Sequence, residues 1–109
     1  MAIAAYYQRG ESLDYTNSTA SKIPANTVID FETRIGVAGT DILPGETGSV
    51  HMTGVFEIAK TGSGAIAMGA AVYFDGTGIT DTASTNTPAG YAAKAAGASD
   101  TKILVKLLG

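Results

Sequence analysis

Turn chemistry cuts this chain into runs too short for anything but strands. Pro24-Ala25-Asn26, Pro44-Gly45-Glu46, Asp75-Gly76-Thr77-Gly78 and Gly97-Ala98-Ser99-Asp100 stand at intervals along it. Their Gly, Asn and Asp residues tolerate the positive φ that tight turns demand. Between them, period-two or β-branched runs at 3–7, 12–16, 27–31, 34–38, 49–59, 71–75, 90–95 and 101–108 read as strands. In the longest run, Val50, Met52, Val55 or Phe56, and Ile58 change face around Gly54, which predicts a bulge or bend there. The closing run alternates cleanly, with Ile103, Val105 and Leu107 on one face and Lys102, Leu104 and Lys106 on the other. Only 65–69 is compatible with a helical turn, because the Ala-rich stretches hold no sustained 3.6-residue period.

The expected fold is therefore all-β, a compact single domain over residues 1–109. A barrel, a sandwich and a β-clip-like meander of short strands all fit, with at most one short helical turn. Gly62-Ser63-Gly64 and 80–87 read as surface loops. An internal echo is also visible. Ile23 to Ile29, Ile35-Gly36-Val37-Ala38 and Gly45-Glu46 before Val50 follow the same order as Ile66 to Tyr73, Ala89-Gly90-Tyr91-Ala92 and Asp100-Thr101 before Ile103. Each half runs turn, strand, glycine-led strand, turn, strand, as duplication of a three-stranded unit would leave it, and as any β meander could.

The core must be thin. At this length roughly two-thirds of the unfolded surface can be buried. The 45 % apolar content is largely Ala, with only three Phe and five Tyr for bulk. Phe31, Phe56, Tyr73 and Tyr91 are expected to pack inside. Charged residues are 16 %, well below the roughly 25 % of an ordinary soluble domain, which points to a surface partly covered by other protein. A net charge of -3 with seven scattered Lys and Arg provides no stripe for a phosphate backbone, so nucleic acid is not an expected partner. The opening residues lack the basic and apolar regions of a signal peptide, and no stretch approaches a membrane span.

Catalytic and ligand-binding patterns are weak. Lys60-Thr61-Gly62-Ser63-Gly64 carries the residues of a phosphate loop in the wrong order, since its glycines follow the Lys-Thr instead of curling ahead of a helix. His51 is the sole His and there is no Cys, leaving a poor donor set for zinc. An arrangement of Ser49, His51 and an Asp carries no nucleophile-elbow signature. Glu11, Asp14, Asp30 and Glu32 read as charges that protect strand edges, Asp75 to Gly78 as a hairpin turn, and Asn17-Ser18-Thr19 as turn chemistry. No enzyme activity, cofactor or metal is expected. His51 fits a strand position at an oligomer interface. Ile3, Tyr6, Tyr7 and Gln8 lie in a segment able to pair with a neighbouring sheet edge, although an ordinary first strand fits the same residues.

The ordered set of these pieces resembles the small capsid cement, or head decoration, proteins of tailed bacteriophages. It consists of Tyr7-Gln8-Arg9-Gly10-Glu11-Ser12-Leu13, Ile35-Gly36-Val37-Ala38 with Pro44-Gly45-Glu46, Thr53 to Lys60, Ile66 to Asp75, and Gly90-Tyr91-Ala92 before Ile103 to Leu107. Ala89 stands where a β-branched residue is usual. The resemblance implies a β-rich, non-enzymatic virion protein made in the host cytoplasm. It further implies a homotrimer on the outer capsid surface at local symmetry axes, clamping neighbouring major capsid subunits. On that reading residues 1–8, with Ile3, Tyr6, Tyr7 and Gln8, form the capsid-contacting arm. The competing reading is a carbohydrate-binding or host-attachment module on the virion surface, which would need exposed aromatics in a flat platform. A small hydrolase is the third.

Overall fold

In the computed structural model, which describes all 109 residues, the chain is all-β, with two antiparallel sheets packed on one another and no closed barrel. The strands are β1 Ser12–Thr16, β2 Val28–Asp30, β3 Ile35–Ala38, β4 Thr47–His51, β5 Val55–Ala59, β6 Ala71–Phe74, β7 Ile79–Thr80, β8 Thr87–Ala92 and β9 Lys102–Leu107. The first sheet has the order β1-β4-β3-β2 and the second β5-β9-β8-β6-β7.

Seven of the eight expected runs form strands, and the departures have physical causes. Residues 3–7 form none, because a strand needs a hydrogen-bonded neighbour and this segment pairs with no edge of either sheet. The run 49–59 is two strands in different sheets. The chain crosses at Gly54, whose φ of 113° L side chains rarely adopt, so the expected bend is a sheet-to-sheet crossover. The helical turn expected at 65–69 is a bridge from Ile66 to Ala96 followed by a β-turn in which Ala70 N–H donates to Ala67 O. Part of the expected 80–87 loop is β7, where Thr80 pairs with Tyr73 and Ile79 with Phe74.

The echo in the sequence is a structural repeat, of a four-stranded unit and not the three-stranded one expected, because β1 and β5 each add a strand ahead of the echoed segments. In both halves the first strand pairs with the fourth, the fourth with the third and the third with the second. Leu13 opposite Val50, which lies opposite Ala38, corresponds to Phe56 opposite Val105, which lies opposite Ala92. Mutual backbone bonds join Ile23 with Ile42 (2.9 and 2.8 Å) and, in the same place of the second half, Ile66 with Ala96 (2.9 and 2.8 Å). A positive-φ residue ends each turn, Asn26 (72°) in the first half and Gly69 (87°) in the second. Their N–H groups donate to Ala38 O and Ala92 O, both at 2.7 Å. The β6–β7 hairpin is the main insertion in the second half.

Packing follows from alternation. In β9, Ile103, Val105 and Leu107 are buried as expected. In β6 the inward pair is Val72 and Phe74, so Phe74 replaces Tyr73 in the core; Tyr73, Phe31 and Phe56 are half-buried and Tyr91 is exposed. β3 is buried on both faces: Ile35 and Val37 enter the main core with the second sheet, while Ala38 joins Ile29, Val50 and Met52 in a smaller cluster on the first sheet's other side. Gly36 fits there because a Cβ would meet Val50 Cγ1 at 2.5 Å and Met52 Sδ at 3.0 Å.

Candidate functional surface

The leading ten residues carry the least internal structure. They are exposed throughout and make no hydrogen bond to the rest of the chain, so their backbone groups are free to bind elsewhere. Ile3, Tyr6 and Tyr7 are 90, 87 and 91 % exposed, and Gln8 beside them is exposed too. Singly exposed apolar side chains are commonplace, and here three stand on one unpaired segment. The arm joins the sheet at Glu11, whose carbonyl accepts from Met52 N–H at 2.9 Å.

His51 sits on β4, half-buried, between the two sheets of its own chain. Its ring lies 5.8 Å from that of Phe56, tilted by 33°, and its Nδ1 is 3.3 Å from Ser12 Oγ. Gly39 leaves room for it, since a Cβ there would stand 3.0 Å from Nε2. The open cleft beside these residues, about 340 Å³, is lined by Val28, Val37, Phe56 and Ile58 with Asn26, Glu57 and Thr77 at its polar margin.

The other candidates are occupied by structural duties. Lys60 Nζ donates to Gly62 O at 2.6 Å, and Thr61 Oγ1 donates to Asp75 Oδ2 at 2.6 Å. The segment resembling a phosphate loop is thereby tied to the β6–β7 turn, and no helix follows it. Asp75 Oδ1 accepts from Thr77 and Gly78 N–H, both at 2.9 Å. These bonds, led by Thr61, hold the Asp75 carboxyl below its ordinary value of 3.8, because they favour the ionised form. Asn17 is fully buried: its Nδ2 donates to Ser21 O and Ile42 O, and its Oδ1 accepts from Thr19 N–H and Oγ1. That is the turn chemistry expected of Asn17-Ser18-Thr19, made into a buried bracket. Asp14 and Asp30 are exposed on the edge strands β1 and β2, and Asp30 Oδ1 also accepts from Thr87 Oγ1 at 2.7 Å. No three His, Asp or Glu side chains gather as a metal site.

Sequence reasoning singled out the arm residues and His51 but missed the row Val55, Lys106, Tyr91 and Ala71 across the outer face of the second sheet. Tyr91 is exposed, not in the core as expected, because a Gly-Tyr-Ala context says nothing of which face a strand buries. Its alignment in the echo with Val37, which is buried, points to the core as well, so no signal in the sequence marks Tyr91 as outward. A family model described as phage cement protein matches residues 7–107. No curated protein and no solved structure matches the chain.

Proposed function

The chain belongs to the phage cement protein family, and from that premise we propose that it binds the outside of a phage capsid as a symmetric trimer and stabilises the shell by clamping neighbouring major capsid subunits. The observation that carries the reading is the arm, residues 1–8, exposed and without a hydrogen bond to its own fold. Ile3, Tyr6, Tyr7 and Gln8 are the contact residues in this account. Membership of a capsid-associated structural family supports a non-enzymatic role, and the side chains that resemble catalytic groups already serve turns and strand edges.

Energetics explain why a clamp of this kind has to be multivalent. Burying Ile3, Tyr6 and Tyr7 yields about 5–9 kcal/mol at roughly 1.5–3 kcal/mol for each large side chain. Fixing eight backbone residues costs about 8 kcal/mol or more. One arm therefore binds weakly, even with main-chain bonds added by strand pairing. Several arms on one oligomer act at high effective concentration, so the assembled clamp holds where a single arm would dissociate.

The test is co-sedimentation with expanded, empty capsids. The intact protein is expected to pellet with the shells, and a chain lacking residues 1–7 is expected to fold as before and bind far more weakly. Undiminished binding by the shortened chain would remove the arm from the mechanism. Failure of the intact chain to pellet would remove the capsid reading itself.

A further inference from the structure

The two halves of the chain repeat one four-stranded unit, yet they are packed through unlike faces. Opposite residues in paired strands share a face. In the first half, Ser12, His51, Val37 and Val28 form one cross-strand row. That row is turned toward the second sheet: Val37 enters the shared core, Val28 packs against it, and the His51 ring meets Phe56. The surface it covers carries Phe56, Ile58 and Phe74. Their counterparts in the first half are Leu13, Tyr15 and Phe31, on the side of the first sheet that points away from the second. The back of one unit thus lies on the front of the next.

A contact between unlike faces of like units leaves one face of each kind unused. The unused back is the second half's row, Val55, Lys106, Tyr91 and Ala71. Covered Val37 is 3 % exposed whereas its counterpart Tyr91 is 47 % exposed, and Val55 is 53 % exposed. The unused front is Leu13, 43 % exposed, with half-buried Tyr15 and Phe31, where covered Ile58 and Phe74 are 8 and 9 % exposed. Both unused faces carry apolar side chains at the positions that make the contact within the chain.

We propose that the Tyr91 row of one copy docks on the Leu13 face of a second copy, repeating between chains the head-to-tail contact already made within each chain. A heterologous contact of this sort generates a ring when its rotation closes. In the trimer proposed above, on which this inference rests, three chains would present six four-stranded units in alternating internal and external contacts. The occupant is a second copy because the molecule itself shows what covers such a row: the same unit's opposite face.

The experiment uses two single substitutions and their mixture, read by solution mass and checked for native circular dichroism. Intact protein is expected at the three-chain mass. Tyr91→Asp and Leu13→Asp are each expected to fall to the 11.0 kDa of one chain. Mixed at high concentration they should form a two-chain species, since each retains the face that the other lacks. Val55→Asp, on the same row as Tyr91, substitutes for Tyr91→Asp should that variant fail to fold, and Leu13→Asn does so for Leu13→Asp. Intact protein that stays monomeric, variants that keep the full oligomer mass, or a mixture that remains monomeric would each overturn the proposal. Capsid co-sedimentation separates the two ideas. Intact protein that pellets with shells while the variants keep its mass preserves the function and removes this interface, whereas a trimer dissolved by either substitution that ignores shells does the reverse.

Discussion

Replacing Gly90 by Ala should be the most damaging one-methyl change in the chain. Gly90 stands in β8 opposite Leu107, with φ at 144°, a region that L side chains rarely adopt. A Cβ there would overlap the Lys106 carbonyl oxygen and lie 2.9 Å from the Lys106 carbonyl carbon and 3.2 Å from Leu107 Cα. All three atoms are backbone, so no rotamer change relieves them. Strain at a forced φ costs about 1–3 kcal/mol and overpacking about 1–3 kcal/mol or more. Together they remove about 2–6 kcal/mol from a total of roughly 5–15 kcal/mol for a domain of this size. At about 4–8 °C per kcal/mol the midpoint should fall by at least about 8 °C. Two controls divide the effect. Gly69, with φ at 87° and nothing within 4 Å of a Cβ, isolates the backbone term, for which Gly69→Ala should cost about 1–2 kcal/mol. Gly36, with no positive φ but a Cβ 2.5 Å from Val50 Cγ1, isolates the steric term at about 1–3 kcal/mol. Thermal unfolding followed by circular dichroism reads all three. A Gly90→Ala chain no less stable than the Gly69→Ala chain would refute the reasoning, because the β8–β9 contact would then have room that the geometry denies.

Asn17→Ala leaves the buried carbonyl of Ile42 without the side-chain donor it now has, and should lower stability by about 1–3 kcal/mol, measured as a shift in the urea midpoint. Asp75 is held below its ordinary pKa in the folded state, so its contribution is present above about pH 4 and is lost as pH falls through the lowered folded value. Asp75→Asn should accordingly flatten the loss of thermal midpoint between pH 4 and pH 2 relative to the intact chain; parallel acid profiles would show that Thr61, Thr77 and Gly78 do not favour the ionised carboxylate. Removing residues 1–7 should move the midpoint by less than about 2 °C, since the arm forms no bond with the fold, and a larger fall in calorimetry would mean that it packs on the sheets. Lys102→Ala, which breaks the exposed pair with Glu57 at 3.8 Å, should change stability by under about 1 kcal/mol at any salt concentration, as a denaturant titration would reveal.

Local chemistry was legible residue by residue. Turns at Pro24, Pro44, Asp75 and Gly97 follow from which side chains tolerate positive φ or cap a backbone N–H, and Asp100 does so at 2.7 Å to Gly97 N–H. The alternation in β9 gave its buried face, because side chains two apart share one side of a strand. The glycine-led pair Gly36 and Gly90 marked a repeat that the strand pairings reproduce. The arm residues of the candidate site stood out as an apolar run, but their lack of any partner did not.

By itself, then, the sequence settled the strand class and the turns, matters of neighbours a few positions apart, and left the doubling of one unit standing beside an ordinary meander until the strand pairings decided it. Tertiary structure alone decided that 49–59 splits between two sheets, that Ile79 earns a strand by covering β6, and that Tyr91 faces outward while Val37 in the matching place is buried. The reason is that alternation assigns residues to two faces without saying which will be covered. That choice depends on what lies across the face, and here the two halves meet back to front.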